Sequence, residues 1–293
     1  MKKISSFMYY YFQPKRFIIT IPFVYSFFKK KNPIMEVEMN GQMVKIPFNH
    51  MGLRYQREYE NYDRQLGKIC KVIFDRIGQI NVVDIGANIG DTIVNIGLGG
   101  GYLAIEGEKA FFPLLKENTR NYNVYYENVY LSDDEKSGYK NIITNGTGKL
   151  VEDNNNEVDI ITLDKLMRTK YNDFKADIIK IDTDGFDFKV IRGAGNYIAN
   201  TKPLLFFEWS KEDLNIQGEN ELSIFPKLEA MGYRDLLLFD NFGNKMLLTT
   251  TDNTKVLEYM ANYTVNKDKL IHYYDILAIH KDSLFSCEDF EYL

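Results

Sequence analysis

Val82–Thr92 reads VVDIGANIGDT, and this stretch decides the fold. An apolar strand runs into a turn with two glycines, and one carboxylate, Asp84, stands just before the turn. A second apolar run, Tyr102–Ile105, ends in Glu106 about one strand–helix–strand unit later. In parallel α/β sheets, strand ends and glycine turns of this kind form nucleotide-binding crevices. The sequence therefore predicts a nucleotide-type pocket at the carboxyl edge of a parallel sheet.

The spacing of the glycines indicates which nucleotide fits this loop. A dinucleotide fingerprint reads G-x-G-x-x-G, but counting from Gly86 the later glycine positions hold Asn88 and Asp91, while Gly90 falls one place early. The loop also lacks the Lys-Ser or Lys-Thr of a phosphate-binding loop. It suits a ligand with a ribose and no phosphates, such as S-adenosylmethionine, whose positive groups favour nearby carboxylates. The alternative is an ordinary strand–turn–helix in which an aspartate caps the helix.

Two carboxylates define the predicted cofactor site. Asp84 is placed to bind the amino-acid end of the cofactor directly or through water. Glu106 can accept both ribose hydroxyls, because a carboxylate has two acceptor oxygens side by side. The predicted cofactor-binding residues of this region are Asp84, Gly86, Ala87, Asn88, Gly90, Asp91, Thr92 and Glu106.

Composition limits the class of protein. A chain of 293 residues with 45% hydrophobic residues can bury one large α/β core. Its 21 Tyr and 20 Phe suit a site for sugars or other ring-shaped acceptors. The net charge of −5 argues against a nucleic-acid partner. Cys70 and Cys287 lie far apart without metal spacing, so a reducing cytoplasm is expected.

The N-terminal arm, residues 1–34, differs in charge from the rest. Its first 31 residues carry seven Lys or Arg and no acid. The apolar run Phe17–Phe28 is too short to span a bilayer, which needs about 20 apolar residues, and no small-residue cleavage site follows it. Two alternatives stay open: peripheral contact with the inner membrane face through residues 1–31, or packing on the catalytic domain or on a second subunit of a homo-oligomer.

The remainder, residues 35–293, is predicted to be one catalytic domain, with a leader at 35–79 and a core at 80–293. In the leader, Glu36–Ile46 predicts a hairpin turning at Asn40-Gly41, and a long helix is expected from Tyr55 to near Gly78. In the core, strands alternate with helices, which is typical of a parallel sheet with helices on both faces. The strands are expected at 81–85, 102–105, 126–131, 177–181, 204–207, 236–239 and 274–279, with helices from 111 and at 219–231. The polar stretch 132–157 predicts a loop or small hairpin with 154–156 at its tip.

Asp182 ends the fourth of these strands, and Glu208 ends the fifth. In a doubly wound sheet of the type that binds S-adenosylmethionine, these strands neighbour the first, so both carboxylates and Asp84 converge over one crevice. They could bind a divalent cation such as Mg²⁺, accept a proton from a hydroxyl, or orient the acceptor, and Asp182 could also contact the cofactor. The alternative is structural: Asp182 caps the next helix, and Glu208 binds backbone amides.

The run Ile179–Ala194, IKIDTDGFDFKVIRGA, resembles the hallmark K-I-D-x-E-G-x-E…L-x-G-A of the FkbM family of S-adenosylmethionine-dependent methyltransferases. The resemblance covers roughly residues 80–280. Asp184 and Asp187 stand where the family commonly has glutamates, and Gly107 stands where proline is usual. The matching segments are the loop 84–92, Glu106 with 113–121, 131–133, 162–164, Glu208 and 274–277.

This resemblance implies a Rossmann-like sheet with an antiparallel last strand and O-methylation of a sugar, glycan or other hydroxyl. By the same resemblance, Ser132 and Asp133 would lie near the adenine. A general base or a metal is expected, because a sugar hydroxyl is a weak acid. We single out His272, which directly precedes the last strand, as a candidate base; a solvated strand-end histidine is the alternative. His50 and His280 are weaker candidates.

The acceptor pocket is expected to draw on the leader, on Trp209 after Glu208, and on the turn 240–243. Three other functions compete with methyl transfer to a hydroxyl. One is an NAD-dependent oxidoreductase, against which the displaced glycines argue. Another is a non-catalytic binding or scaffold protein that retains the fold. The last is a nucleic-acid methyltransferase, for which the sequence has neither an Asn/Asp-Pro-Pro-aromatic motif nor a Pro-Cys nucleophile.

Overall fold

The structure is a computed structural model that describes residues 28, 30–50, 52, 55, 58–59, 61–135, 139–144, 147–152, 159–266 and 268–293. Most of the predicted N-terminal arm, residues 1–27, lies outside the described residues, as does the predicted tip 154–156. Within the part of the chain that is described, no helix is both long and apolar enough to cross a membrane.

The secondary structure alternates strands and helices from residue 81 onward. The strands are β1 (Ile34–Met39), β2 (Gln42–Pro47), β3 (Asn81–Ile85), β4 (Gly101–Ile105), β5 (Asn123–Glu127), β6 (Tyr130–Leu131), β7 (Tyr139–Thr144), β8 (Thr147–Glu152), β9 (Ile160–Ile161), β10 (Ile178–Ile181), β11 (Leu204–Trp209), β12 (Tyr233–Asp240), β13 (Lys245–Thr250) and β14 (Tyr274–His280). The helices are α1 (Gln65–Ile77), α2 (Asp91–Ile96), α3 (Phe112–Asn118), α4 (Leu163–Lys170), α5 (Asp187–Gly193), α6 (Gly195–Thr201), α7 (Lys211–Ile216), α8 (Phe225–Ala230) and α9 (Thr254–Tyr263).

The central sheet has eight strands in the order β13-β12-β14-β11-β10-β3-β4-β5. The pairs from β11 to β5 are parallel. Strand β14 is antiparallel to β11, and β12 pairs antiparallel with both β14 and β13. The predicted fold class is confirmed: a mostly parallel, Rossmann-like sheet with an antiparallel last strand. Strand β13, which the sequence analysis did not predict, extends the sheet at one edge.

Helices cover both faces of the sheet, because successive apolar residues of each central strand point to opposite sides. Val83 and Ile179 belong to one buried cluster, together with apolar residues of α4, α5, α6, α8 and α9. Val82 and Ile178 belong to a second cluster, together with apolar residues of α1, α2 and α3. The central strands are therefore buried on both faces, which is why they read as continuous apolar runs.

The predicted third strand, 126–131, is two elements. Strand β5 ends at Glu127, and β6 pairs instead with β9 in a separate small sheet. Asn128 causes the break, because its side-chain amide donates to the carbonyls of Glu106 (2.7 Å) and Gly107 (3.1 Å). A side chain thus occupies acceptors that would otherwise continue the strand ladder. The polar stretch that follows holds the hairpin β7–β8, in which Thr144 pairs with Thr147.

The leader hairpin is confirmed, with Asn40 and Gly41 in the left-handed region between β1 and β2. The predicted long helix is interrupted: Tyr55 and Glu58 are helical, residues 61–64 form a turn in which Asp63 has φ 54°, and α1 starts at Gln65. It ends at Gly78 as predicted, in a left-handed cap. The helix predicted at 219–231 is limited to α8, which has Pro226 in its first turn, where proline is favoured.

Candidate active site

A cavity of about 260 Å³ opens at the carboxyl ends of β3, β4, β10 and β11, as the sequence analysis predicts. Its described wall combines the glycine loop after β3, Glu106 after β4, and the segment 181–184 after β10. Glu208 of β11 and Asp275 of β14 line the same space. The leader, from His50 to Gly67, closes another side.

The glycine loop is held tightly against the neighbouring strands. Gly86 has φ 77°, and a Cβ placed on it would lie 1.8 Å from the carbonyl oxygen of Asp182. The amides of Gly86 and Ala87 both donate to the carbonyl of Ile105, at 3.0 and 3.1 Å. Gly90 also has a positive φ, 84°, directly before α2. Both glycines therefore serve the close turn that their spacing predicts.

Asp84 lies behind the cavity wall. It is fully buried in β3, and its register partner in β10 is Lys180. Lys180 Nζ lies 3.4 Å from Asp84 Oδ1, 3.2 Å from Asp182 Oδ2, and 3.1 Å from the carbonyl oxygen of Gly86. Burial raises the pKa of Asp84 to about 6, against the opposing effect of Lys180. Lys180 itself lines the cavity, so it stands between Asp84 and any ligand there.

Lys180 stays charged in this buried position. Burial by itself would lower its pKa, but Asp182 and Asp84 together hold that pKa above its usual value. Lys180 stands in the hallmark run Ile179–Ala194, but no role was predicted for it. One feature of the sequence could have indicated a role: Lys180 is a lysine inside a strand that is otherwise apolar and is followed by a carboxylate.

Glu106 faces the cavity with a fixed orientation. Its Oε2 accepts the amide of Asn88 at 2.8 Å, and its Oε1 accepts the amide of Glu108 at 2.6 Å. Burial raises the pKa of Glu106 to about 7, while the two amides act in the opposite direction. Because each carboxylate oxygen can accept a second hydrogen bond, both oxygens remain able to bind a pair of adjacent hydroxyls.

Three carboxylates lie together on the side of the cavity formed by β10, β11 and β14. Glu208 and Asp275 are direct partners across the β11–β14 pair, and Asp182 lies after β10 next to them. Burial, reinforced by the charge of Asp182, raises the pKa of both Glu208 and Asp275 well above the usual range. The convergence of Asp182 and Glu208 is as predicted. Asp275 was missed as a functional residue, although the sequence analysis quoted it within the matching last strand.

Asp187 shapes the loop after β10. It is buried, and its carboxylate accepts the amides of Thr183 (3.3 Å) and Gly185 (3.1 Å). Asp184 and Gly185 both have positive φ values there, 50° and 98°. This folding of the loop places Asp184 in the wall of the cavity. The family commonly has a glutamate at this position. The shorter aspartate still reaches both amides, because they belong to the same loop, four and two residues before it.

Several predicted residues are not among the described residues that line the cavity: Asp84, Ala87, Gly90, Ser132, Asp133 and His272. Ser132 is buried and its hydroxyl contacts Asp133 Oδ1, while Asp133 also accepts from Arg192 Nε at 2.7 Å. His272 is exposed, and its amide donates to Asn241 Oδ1 at 2.7 Å.

Two more aromatic residues named in the sequence analysis lie elsewhere in the fold. Trp209 belongs to the core: it is 1% exposed, and its ring nitrogen donates to the carbonyl of Glu221 at 2.7 Å. His280 ends β14 at the opposite edge of the sheet, where its ring packs on that of Tyr233. Neither residue is among those that line the cavity in the described structure.

The leader supplies wall residues that sequence reasoning did not single out. Gln65, at the start of α1, donates to Asp275 Oδ2 at 2.8 Å. The rings of Tyr55 and Tyr62 lie 5.3 Å apart, and Tyr59 packs on Phe242 at 4.2 Å. The leader and the turn 240–243 therefore meet beside the acidic end of the cavity. The aromatic spacing of the leader was visible in the sequence, but its contact with β14 was not.

The cavity wall is rich in carboxyl groups. Among its described lining residues the acids outnumber the single lysine, Lys180, and they are Asp63, Asp91, Glu106, Asp182, Asp184, Glu208 and Asp275. The described residues include no group of three or more His, Cys, Asp or Glu arranged to hold a metal ion. The predicted divalent cation on Asp182 and Glu208 is therefore not supported, and no step below depends on one.

Comparison with known proteins places the chain in a family. Residues 84–234, just over half of the chain, match the family model described as "Methyltransferase FkbM domain". No curated protein matches the chain. It is similar to the structure of the methyltransferase FkbM from Methylobacillus flagellatus KT, at 18% identity and a TM-score of 0.39, over 58% of this chain and 43% of that one. It is also similar to P. horikoshii TYW2 in complex with MeSAdo, at 11% identity and a TM-score of 0.40, over 85% and 72%. The match spans less than half of the Methylobacillus protein.

Proposed function

This chain belongs to the FkbM family of S-adenosylmethionine-dependent methyltransferases, and on that premise we propose that it methylates a hydroxyl group of a sugar, a glycan or a related precursor. The observation that carries the proposal is the acidic cavity, with Glu106 held at one end and the pair Glu208–Asp275 at the other. One end suits a ribose, and the other suits a hydroxyl that must lose a proton.

The cofactor end of the cavity fits a nucleoside with a positively charged tail. Glu106 presents two oriented oxygens for the ribose hydroxyls, and Asp91 stands at the start of α2 beside the glycine loop. Lys180 is already surrounded by Asp84, Asp182 and Gly86, so it has little capacity for a phosphate. This arrangement supports S-adenosylmethionine over NAD, because a pyrophosphate would face the carboxylates of the wall.

The acidic end fits proton removal. Bound S-adenosylmethionine supplies an electrophilic methyl group; transfer forms a carbon–oxygen bond, breaks the carbon–sulfur bond and requires the hydroxyl to lose its proton. Burial raises the pKa of both Glu208 and Asp275, so an ionised member of this pair takes up that proton more readily than an exposed carboxylate would. Gln65 holds Asp275 in place through the 2.8 Å hydrogen bond. Much of the rate would come from alignment of the two reactants in this enclosed space.

The wall of the cavity also supports a class of acceptor. Carboxylates accept hydrogen bonds from hydroxyls, and the rings of Tyr62 and Tyr273 offer apolar faces beside them. An uncharged, polyhydroxylated molecule such as a glycan meets both requirements. A polyanion such as a nucleic acid would be repelled by the same wall. The free thiols Cys70 and Cys287 support a reducing, cytoplasmic location, while membrane contact of residues 1–31 and assembly into a homo-oligomer stay predictions.

The cofactor assignment is tested by titrating the full chain with S-adenosylhomocysteine in a calorimeter. We expect binding that the Glu106→Ala variant weakens at least about tenfold, because two hydrogen bonds to a charged group are lost. Glu127→Ala is the matched control: Glu127 ends the next strand, β5, and is not among the described lining residues, so its loss should leave affinity within about twofold. Absence of binding by folded wild-type protein would remove the proposal, and binding of NAD instead would favour an oxidoreductase.

The chemical step is tested with Glu208→Gln, after a screen of neutral glycans and nucleotide sugars has found an acceptor. We expect kcat to fall by about 10²–10⁴-fold, the range for loss of a general base. Affinity for S-adenosylhomocysteine should stay unchanged, because β10 and β3 separate Glu208 on β11 from Glu106 after β4. A kcat close to that of the wild type would show that Glu208 does not take the proton. A protein that binds the cofactor and methylates nothing in the screen would favour the scaffold alternative.

A further inference from the structure

His50, which the sequence analysis ranked as a weak candidate, lies in the wall of the cavity. Its Nδ1 accepts the backbone amide of Gly52 at 3.3 Å. In a neutral imidazole only one ring nitrogen accepts, so this contact assigns the ring proton to Nε2. Nε2 is buried and has no hydrogen-bond partner among the described residues. The ring therefore carries a buried, unpaired N–H beside the cavity, and a buried polar group of this kind is costly unless a partner satisfies it.

The position of His50 is fixed relative to the glycine loop. It follows β2 by three residues, and its amide donates to the carbonyl of Pro47 at 2.9 Å. Asn118 connects β2 to the loop, because it accepts the amide of Lys45 at 2.7 Å and donates to the carbonyl of Ile89 at 2.8 Å. The leader hairpin thus brings His50 beside the glycine loop and the start of α2.

Asp91 lies near His50, on the other side of Gly52. A Cβ built on Gly52 would lie 3.1 Å from Cε1 of His50 and 3.8 Å from Oδ2 of Asp91, so the ring and the carboxylate flank the same point. Both residues line the cavity. A donor and a carboxylate side by side are complementary to the two charges of an amino-acid group, since the carboxylate needs a donor and the ammonium needs an acceptor.

Lys180 does not provide that donor. Three oxygens surround its ammonium group within 3.4 Å, those of Gly86, Asp182 and Asp84. Of these, the carbonyl oxygen of Gly86 accepts a hydrogen bond, and the two carboxylates pair with the ammonium group by charge. No other lysine, and no arginine, is among the described lining residues. Because two carboxylates already offset the charge of Lys180, a third carboxylate that enters this acidic cavity needs a further donor.

We propose that His50 binds the carboxylate of the amino-acid end of S-adenosylmethionine through Nε2–H, with Asp91 accepting the ammonium group. The proposal rests on the proposed function, because it assumes that this cavity is the cofactor site. It assigns to the leader, which lies outside the matched segment 84–234, a direct part in cofactor binding.

Two probes that differ only at the proposed contact test this assignment. S-adenosylhomocysteine carries the amino-acid group, and 5′-methylthioadenosine has the same nucleoside and thioether without it. Both are titrated calorimetrically into the full-length wild type, His50→Ala and His50→Gln. We expect His50→Ala to weaken S-adenosylhomocysteine about tenfold, as for a lost hydrogen bond to a charged group, and to leave methylthioadenosine within about twofold. His50→Gln keeps an N–H donor and should retain most of the affinity.

The outcomes separate this proposal from the proposed function. A wild type that binds neither probe would overturn both. A His50→Ala variant that weakens both probes equally would indicate loss of the cavity wall, and one that weakens neither would show that His50 makes no contact; either result overturns the role of His50 and leaves the function standing. Binding of methylthioadenosine by His50→Ala also demonstrates that the variant is folded.

Discussion

Replacing Gly86 by alanine is expected to prevent folding or to lower the free energy of unfolding by at least about 3 kcal/mol. Part of this loss arises because Gly86 has φ 77°, which an alanine adopts at a cost of about 1–2 kcal/mol. The larger part is the approach of the new Cβ to 1.8 Å from the carbonyl oxygen of Asp182. That oxygen belongs to the backbone at the end of β10, so it cannot move away without disturbing the pairing of β3 with β10.

The hairpin glycine, Gly41, provides the matched control for this variant. Gly41 has nearly the same φ, 76°, but a Cβ placed on it would meet nothing within 4 Å. Gly41→Ala should therefore lose only the conformational term, about 1–2 kcal/mol. Urea denaturation, followed by the fluorescence of the buried Trp209, measures both variants. Equal losses in the two variants would contradict the close packing of the loop against β10.

Replacing Lys180 by methionine is expected to lower the free energy of unfolding by roughly 3–5 kcal/mol at pH 8, because it leaves Asp84 as a buried charge without its ion-pair partner. The loss should shrink as the pH falls. Asp84 in the folded wild type already has a pKa of about 6, above its ordinary value, and removal of Lys180 raises it further. A carboxyl with a raised folded pKa destabilises the protein as the pH rises, so protonation of Asp84 in acid relieves the penalty.

The double variant Lys180→Met with Asp84→Asn tests this cause. Asparagine has nearly the shape of aspartate without its charge, so the second substitution should restore much of the stability at pH 8. It should also remove most of the pH dependence that Lys180→Met introduces. Denaturant unfolding at pH 6 and pH 8 compares the single and double variants. If the single and double variants lost the same stability at pH 6 and at pH 8, the charge of Asp84 would not be what Lys180 stabilises.

The strands of the core were predictable because each is a local pattern. Strand β3 has the predicted bounds, and β4 and β10 differ by one residue at one end. The third strand was not predictable, because Asn128 ends it through contacts with Glu106 and Gly107, which are more than twenty residues away. The interruption of the leader helix was missed for a related reason. Helical spacing continues through 61–64, but a left-handed Asp63 interrupts the helix in the structure.

The sequence by itself determined the central strands, the tight turn at Gly86 and the carboxylates at the strand ends, Asp84, Glu106 and Asp182. These features follow from apolar runs, glycine spacing and the rule that parallel strands end at one edge. Only the tertiary structure decided which distant groups share the same desolvated space. Lys180 lies between two carboxylates, and Asp275 stands opposite Glu208.

The leader's part in the site was likewise decided by tertiary structure. Gln65 contacts Asp275 across 210 positions of sequence, and His50 reaches the glycine loop through the hairpin β1–β2. The physical reason is that the spacing of apolar residues indicates only on which face of its own helix or strand a residue lies. The charge, pKa and ligand of a buried group depend instead on the elements that pack around it, and no local pattern specifies that packing.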